Sequence, residues 1–89
     1  MEINFDPNKN IANIEKHGIS LADAENLEWE LLLAVQDLRY EYDETRMIGY
    51  APIGSRIFCV VYTNRGDVRR IISLRKANKR EVKNYARQI

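Results

Sequence analysis

"RIFCVVYTNRGDVRRIISLR", residues 56–75, decides the architecture of this 89-residue chain. Arg56 to Thr63 and Val68 to Arg75 are β-rich runs, and Asn64-Arg-Gly66 between them is a turn sequence. So short a connection joins antiparallel neighbours, because a parallel pair needs a crossover of a dozen residues or more. The first run is apolar at almost every position, as a central strand covered on both faces requires. Arg46 to Ala51 is a third β-rich run, set off from the first by Pro52-Ile-Gly54.

Helical signals lie on either side. Asp6-Pro7 opens a helix, with Asp able to cap free N–H groups and Pro tolerated at the first helical position. Ile11, Ala12 and Ile14 give it a narrow apolar stripe, and Gly18 can take the left-handed conformation that ends it near Lys16 or His17. Ser20, with Asp23 three residues on, starts a second helix carrying Leu21, Ala24 and Leu27. Residues 31–37 fit helix or strand; the extended reading leads more directly into the acidic turn Tyr40 to Glu44. At the end of the chain Asn78 and Glu81 form a capping pair. Val82, Tyr85, Ala86 and Ile89 follow as a helical stripe, and Lys79, Arg80, Lys83 and Arg87 occupy the other faces. Tyr85 suits core packing better than base stacking, because it belongs to that stripe. The expectation is one α+β domain over residues 1–89, with N-terminal helices, three or four antiparallel strands and a C-terminal helix.

Composition narrows the class. With 45% hydrophobic and 30% charged residues, the chain is ordinary for a soluble globular domain. Its start lacks the basic-then-apolar pattern of a signal peptide, and Leu31 to Val35 and Ile57 to Tyr62 are too short to span a bilayer. A single cysteine, Cys59, cannot form an intrachain disulfide, and its apolar neighbours make it a core residue suited to a reducing cytoplasm. One histidine and one cysteine do not make a structural metal site. There is no GxxxxGK[ST] loop, CxxC pair or HExxH helix, so neither a metal nor another cofactor is expected.

Charge is unevenly divided. Residues 1–44 hold 11 acids and 3 bases, net −8, whereas residues 45–89 hold 11 bases and 2 acids, net +9. Either the basic half forms a surface for phosphate or an acidic partner, or the two halves neutralise each other on folding. "RRIISLRKANKR", residues 69–80, concentrates the bases. Strict alternation puts Arg69, Ser73 and Arg75 on one strand face and Arg70 on the other. Arginine forks bind phosphate in bidentate fashion, Ser73 adds a hydroxyl, and Arg46, Arg65 and Lys76 can join the same surface. His17 has two readings. Before a C-cap glycine it finishes a helix, since its cationic form favours the negative end of the helix dipole. Near a phosphate-binding surface its imidazole would instead titrate near neutrality, where proton transfer works best.

Taken together, "DPNKNIANIEKHGIS", "DETRMIG", "VVYTNRGDVRRIISLRKA" and the later Glu81 and Tyr85 resemble the BrnT toxins of type II BrnT–BrnA toxin–antitoxin modules. The resemblance spans nearly the whole chain. Phe5 stands where many members have tryptophan, and the stretch around Glu28-Trp29-Glu30 departs from the family pattern. The resemblance implies a RelE-like fold and cytoplasmic, metal-independent cleavage of RNA through its 2′-hydroxyl, which stops translation. Lys16, His17, Arg46, Arg65 and Arg75 would be the catalytic surface, with Arg69, Arg70, Ser73 and Lys76 binding RNA. It also implies a DNA-binding, BrnA-like antitoxin in a higher-order complex on operator DNA. A module that binds nucleic acid or antitoxin without cutting, as co-repressor only, would use the same basic face. A pure binder has no use for a histidine titrating near neutrality, so His17 separates the two.

Overall fold

A computed structural model describes all 89 residues. The elements are β1 (Glu2–Phe5), α1 (Pro7–His17), β2 (Leu33–Gln36), β3 (Met47–Ile53), β4 (Arg56–Arg65), β5 (Val68–Lys76) and α2 (Lys79–Gln88), with 3-10 turns at Leu21–Asn26 and Trp29–Leu31. One five-stranded mixed sheet has the order β1-β5-β4-β3-β2, so β4 is its middle strand, as its apolar sequence demands.

Two strands exceed the antiparallel meander read from sequence. β1 pairs parallel to β5, from Glu2 opposite Val68 to Phe5 opposite Ile71. Glu2 to Phe5 reads from sequence as a short extended start, but four residues carry no readable period and their partner lies more than sixty positions away. β2, within the ambiguous 31–37 stretch, closes the other edge antiparallel to β3. Pro52 is part of β3 and not of the turn, which tightens to Gly54-Ser55 with Gly54 at φ 59°.

The core lies on one sheet face. Ala51, Phe58, Val60, Tyr62, Ile71 and Leu74 meet Leu21, Ala24 and Leu27 there. The expected second helix is a 3-10 turn for a reason visible in its spacing. Leu21, Ala24 and Leu27 recur every three residues, the period of a 3-10 helix, and all three are buried. Ser20 caps this turn through the N–H of Ala22, and Asn10 Oδ1 accepts from Leu21 N–H at 2.7 Å.

Helix α1 has the expected ends: Asp6 accepts from Asn8 N–H, Pro7 follows, and Gly18 at φ 71° sends its N–H to Ile14. Its docking is not by the apolar stripe. Ile11 and Ile14 remain exposed, and the one buried residue of the helix is Asn13. Its side-chain amide donates to the carbonyls of Ile19 and Leu74, both at 2.9 Å, while Oδ1 accepts from Leu74 N–H at 3.2 Å. Beyond Ile71, β5 has no strand on its β1 side, and the Asn13 carboxamide pairs with the open edge there as a backbone would.

Replacing Asn13 with Leu should therefore destabilise the domain by about 2–4 kcal/mol, since buried backbone groups of Leu74 and Ile19 lose their partners. Urea unfolding checks this; a change below ~1 kcal/mol would mean that water or neighbouring groups replace the amide.

Candidate functional site

The basic residues are sorted by the sheet's pairing. On β4, Phe58, Val60 and Tyr62 face the core, so Cys59, Val61, Thr63 and Arg65 face the other way. Val61 pairs with Ser73 and Tyr62 with Ile71, which leaves Ile72 unmatched as a β-bulge. That extra residue shifts the phase of β5. Arg75, opposite Cys59, and Ser73, opposite Val61, lie on the outer face, as does Arg70 opposite Thr63. Arg69 shares the core face with Ile71, contrary to the alternation that grouped it with Ser73 and Arg75. Its guanidinium lies 4.5 Å from the Trp29 ring centroid and 5.1 Å from that of Tyr62. Its Nη1 is buried without a hydrogen-bond partner, so Arg69 packs as a cation on aromatics instead of presenting a free fork. Lys76 is exposed opposite Phe58.

At one end of the outer face stands Arg75. Its Nη1 and Nη2 donate to the two carboxylate oxygens of Glu81 at 2.8 and 2.9 Å. Glu81 also accepts from the Tyr50 hydroxyl at 2.8 Å and from Asn78 N–H at 2.9 Å, the second bond completing the capping box of α2. Four donors on one carboxylate hold Glu81 at a pKa of about 2, with the Arg75 fork the largest cause. Burial, then the bond to Glu81, pushes the Tyr50 phenol up, so it stays a donor. Burial likewise pushes the Cys59 thiol up.

His17 reaches this end from α1. It lies one turn beyond Asn13 on the same helix face, and Asn13 is bonded to Leu74, the neighbour of Arg75. The half-buried imidazole is held below its ordinary pKa of 6.5, first by desolvation, then by the charges of Lys16 and Arg75. Its neutral form is favoured at neutral pH, with a nitrogen lone pair free to accept a proton.

Arg46 and Arg65 lie at the opposite end, with Arg70. The Arg65 fork grips exposed Glu44 at 2.6 and 2.9 Å, Arg46 lies 4.2 Å from the Tyr42 ring centroid, and Arg70 donates to Asn4 at 3.3 Å. With Lys9 and Thr63, and with the carboxylates of Asp6, Asp43 and Glu44, they line a polar cleft of about 280 Å³. Five steps along β5 separate Arg70 from Arg75, about 16 Å. The five residues grouped from sequence therefore form two clusters, Lys16–His17–Arg75 and Arg46–Arg65.

Neutralisation between the halves is slight. Of three ion pairs, only Arg65–Glu44 crosses from one half to the other; Arg39–Asp37 and Arg75–Glu81 each lie within a half. Tyr85 is buried and donates to the Leu31 carbonyl at 2.7 Å, which commits it to packing. The contributions of Asn13 and Tyr50 went unread in the sequence. Glu81 was legible there only as a helix cap, and capping alone accounts for its spacing from Asn78.

The fold defines a class of small α+β protein, a five-stranded mixed sheet with basic residues at both ends of one face and a single histidine at the end of α1. Residues 5–81 match the family described as the ribonuclease toxin BrnT of type II toxin–antitoxin systems, and the chain belongs to that family. No curated protein matches the chain. Membership implies an RNA substrate and an antitoxin partner. No three His, Cys, Asp or Glu side chains gather in a group that could hold a metal ion, and no helix is long and apolar enough to cross a membrane.

Two titrations test the electrostatics. The single imidazole should titrate below pH 6.5 by NMR, and Lys16→Met or Arg75→Met should each raise its midpoint. An unmoved midpoint in both variants would separate His17 from those cations. Glu81, depressed from 4.5 to about 2, contributes stability that is complete above pH 4.5 and lost as pH falls through 2. Acid unfolding of Glu81→Gln should lack that loss, roughly 2–3 kcal/mol.

Proposed function

We propose that this chain is a metal-independent endoribonuclease whose scissile site is the Lys16–His17–Arg75 end of the outer sheet face, in a RelE-like fold. What supports this reading is that Asn13 anchors α1 on Leu74, which brings the helix end carrying Lys16 and His17 toward Arg75, itself held by Glu81. Neutral His17 takes the proton of a ribose 2′-hydroxyl, and the freed oxygen attacks the adjacent phosphorus. The P–O5′ bond breaks, leaving a 2′,3′-cyclic phosphate and a 5′-oxygen that takes its proton from water. Negative charge building on the phosphoryl oxygens is met by Arg75 and Lys16, both cationic before the reaction begins. RNA supplies its own nucleophile, so the protein's part is orientation, one proton and fixed charge.

Arg70, about 16 Å from Arg75 along β5, and Arg46 and Arg65 beside it would hold flanking phosphates instead of the one that reacts. Ser73, between the two ends, adds a hydroxyl to the path. Cleavage of RNA would stop translation in the cytoplasm, and a BrnA-like DNA-binding antitoxin would neutralise the toxin within a larger complex on operator DNA.

RNA cleavage by folded His17→Gln with metal chelated, across pH 5 to 9, tests the reading. The variant keeps a hydrogen-bonding side chain and loses proton exchange, so the rate should fall on the order of a hundredfold or more. Wild-type kcat/KM should rise through an acid limb below pH 6.5. Arg46→Ala should mainly raise KM, whereas Arg75→Ala should lower kcat. Wild-type rates and pH profile in His17→Gln would leave His17 only its helix-ending role.

A further inference from the structure

The β2 edge of the sheet is open, with an apolar groove beside it that reaches as far as Glu81, the partner of Arg75. Asp37 N–H donates to the carbonyl of Arg46, directly opposite it, at 2.8 Å. In the same register the bonded pairs continue at Val35–Ile48 and Leu33–Tyr50. The N–H and C=O groups of Ala34 and Gln36 therefore point away from β3, into solvent, and Ala34, Val35 and Gln36 are all exposed. An edge of this kind is a template for another strand, and neither proline nor lysine guards it.

Alongside runs a groove of about 450 Å³ between the outer face of β2 and β3 and helix α2, walled by Leu33, Val35, Ile48, Tyr50 and Tyr85. Val35 is 64% exposed and Leu38, just past the strand, 78%. The α2 residues facing the groove are Glu81, Asn84, Tyr85 and Gln88, none of them basic. Glu28 and Glu30 precede β2 and Glu41 and Asp43 follow it, none of them in an ion pair. Arg39, the one base between His17 and Thr45, is committed to Asp37. The groove is apolar along its floor, and the chain on either side of β2 is acidic.

We propose that this edge and groove receive an extended segment of the antitoxin, added to β2 as a sixth strand, with alternate apolar side chains in the groove and lysines or arginines flanking them. The antitoxin itself follows from family membership; its docking at the β2 edge follows from the exposed backbone groups, the groove and the acidic residues that flank β2 in the chain. The floor is also tied to the proposed catalytic end, because Tyr50 lines the groove and its hydroxyl lies on the carboxylate that holds Arg75.

Two binding variants and one exchange measurement test this, using the purified antitoxin encoded beside this chain and no RNA. Gln36→Pro removes an outward N–H that β3 does not use, and Val35→Lys puts a cation into the apolar wall of the groove, where it also opposes the basic flanks of the segment. Each should weaken antitoxin binding tenfold or more by titration calorimetry, with RNA cleavage by the free toxin within about twofold of wild type. In the wild-type protein, hydrogen exchange at the Ala34 and Gln36 amides should slow at least tenfold on complex formation. Unchanged exchange there, with protection confined to residues 61–75, would overturn the proposal and make the basic face the docking surface. A toxin that dimerises alone through β2 would overturn it in favour of a second copy. Since no RNA enters the titration, failure of the His17 chemistry leaves this result intact.

Discussion

The Asn13 carboxamide on the backbone of Leu74 is the contact on which the arrangement of the outer-face site depends. A helix with Ile11 and Ile14 in solvent has little apolar area with which to dock. It is located instead by three hydrogen bonds that join α1, the Ile19 turn and the free edge of β5. Inside a protein such a network is expensive to leave half satisfied, which makes its geometry specific where a slippery apolar contact would not be. His17 inherits that specificity from its position one turn further along the helix.

Glu81 plays the corresponding part on the other side of Arg75. One carboxylate closes the cap of α2, orients the arginine and receives Tyr50 from β3. The helix therefore cannot shift without disturbing the guanidinium. The Arg75 fork is largely occupied by Glu81, so it can offer a phosphate its charge and its remaining N–H groups but not a free bidentate grip. In the proposed cleavage, that would favour electrostatic stabilisation of a transition state over tight binding of the ground state.

The bulge at Ile72 divides the arginines of β5. Without the extra residue, Arg69 and Arg75 would share a face; with it, Arg69 stacks on Trp29 and Tyr62 while Ser73 and Arg75 turn outward. The acidic half meanwhile keeps its charge to itself, apart from Glu44 on Arg65. A domain of net charge +1 thus carries a basic sheet face and, flanking β2 in the chain, a run of acidic residues.

Sequence by itself determined what depends on neighbours in the chain. The β4–β5 hairpin, the central place of β4, the Asp6–Pro7 start and Gly18 stop of α1, and the Asn78–Glu81 capping box are local patterns of period, turn and cap, and each was legible. The family too was legible, in the order of short motifs from His17 to Ala77. Tertiary structure decided the rest. β1 finds a partner more than sixty residues away, and a single unmatched residue in β5 reverses which arginines face the outer surface. Asn13 is buried because a strand edge happens to lie beside it, and Glu81 gains Arg75 and Tyr50 only once α2 crosses the sheet. The grouping of Lys16, His17 and Arg75 apart from Arg46 and Arg65 has the same origin. Chain periodicity specifies the face of a residue within its own element, whereas the distance between elements is set by packing and by hydrogen bonds that no local pattern encodes.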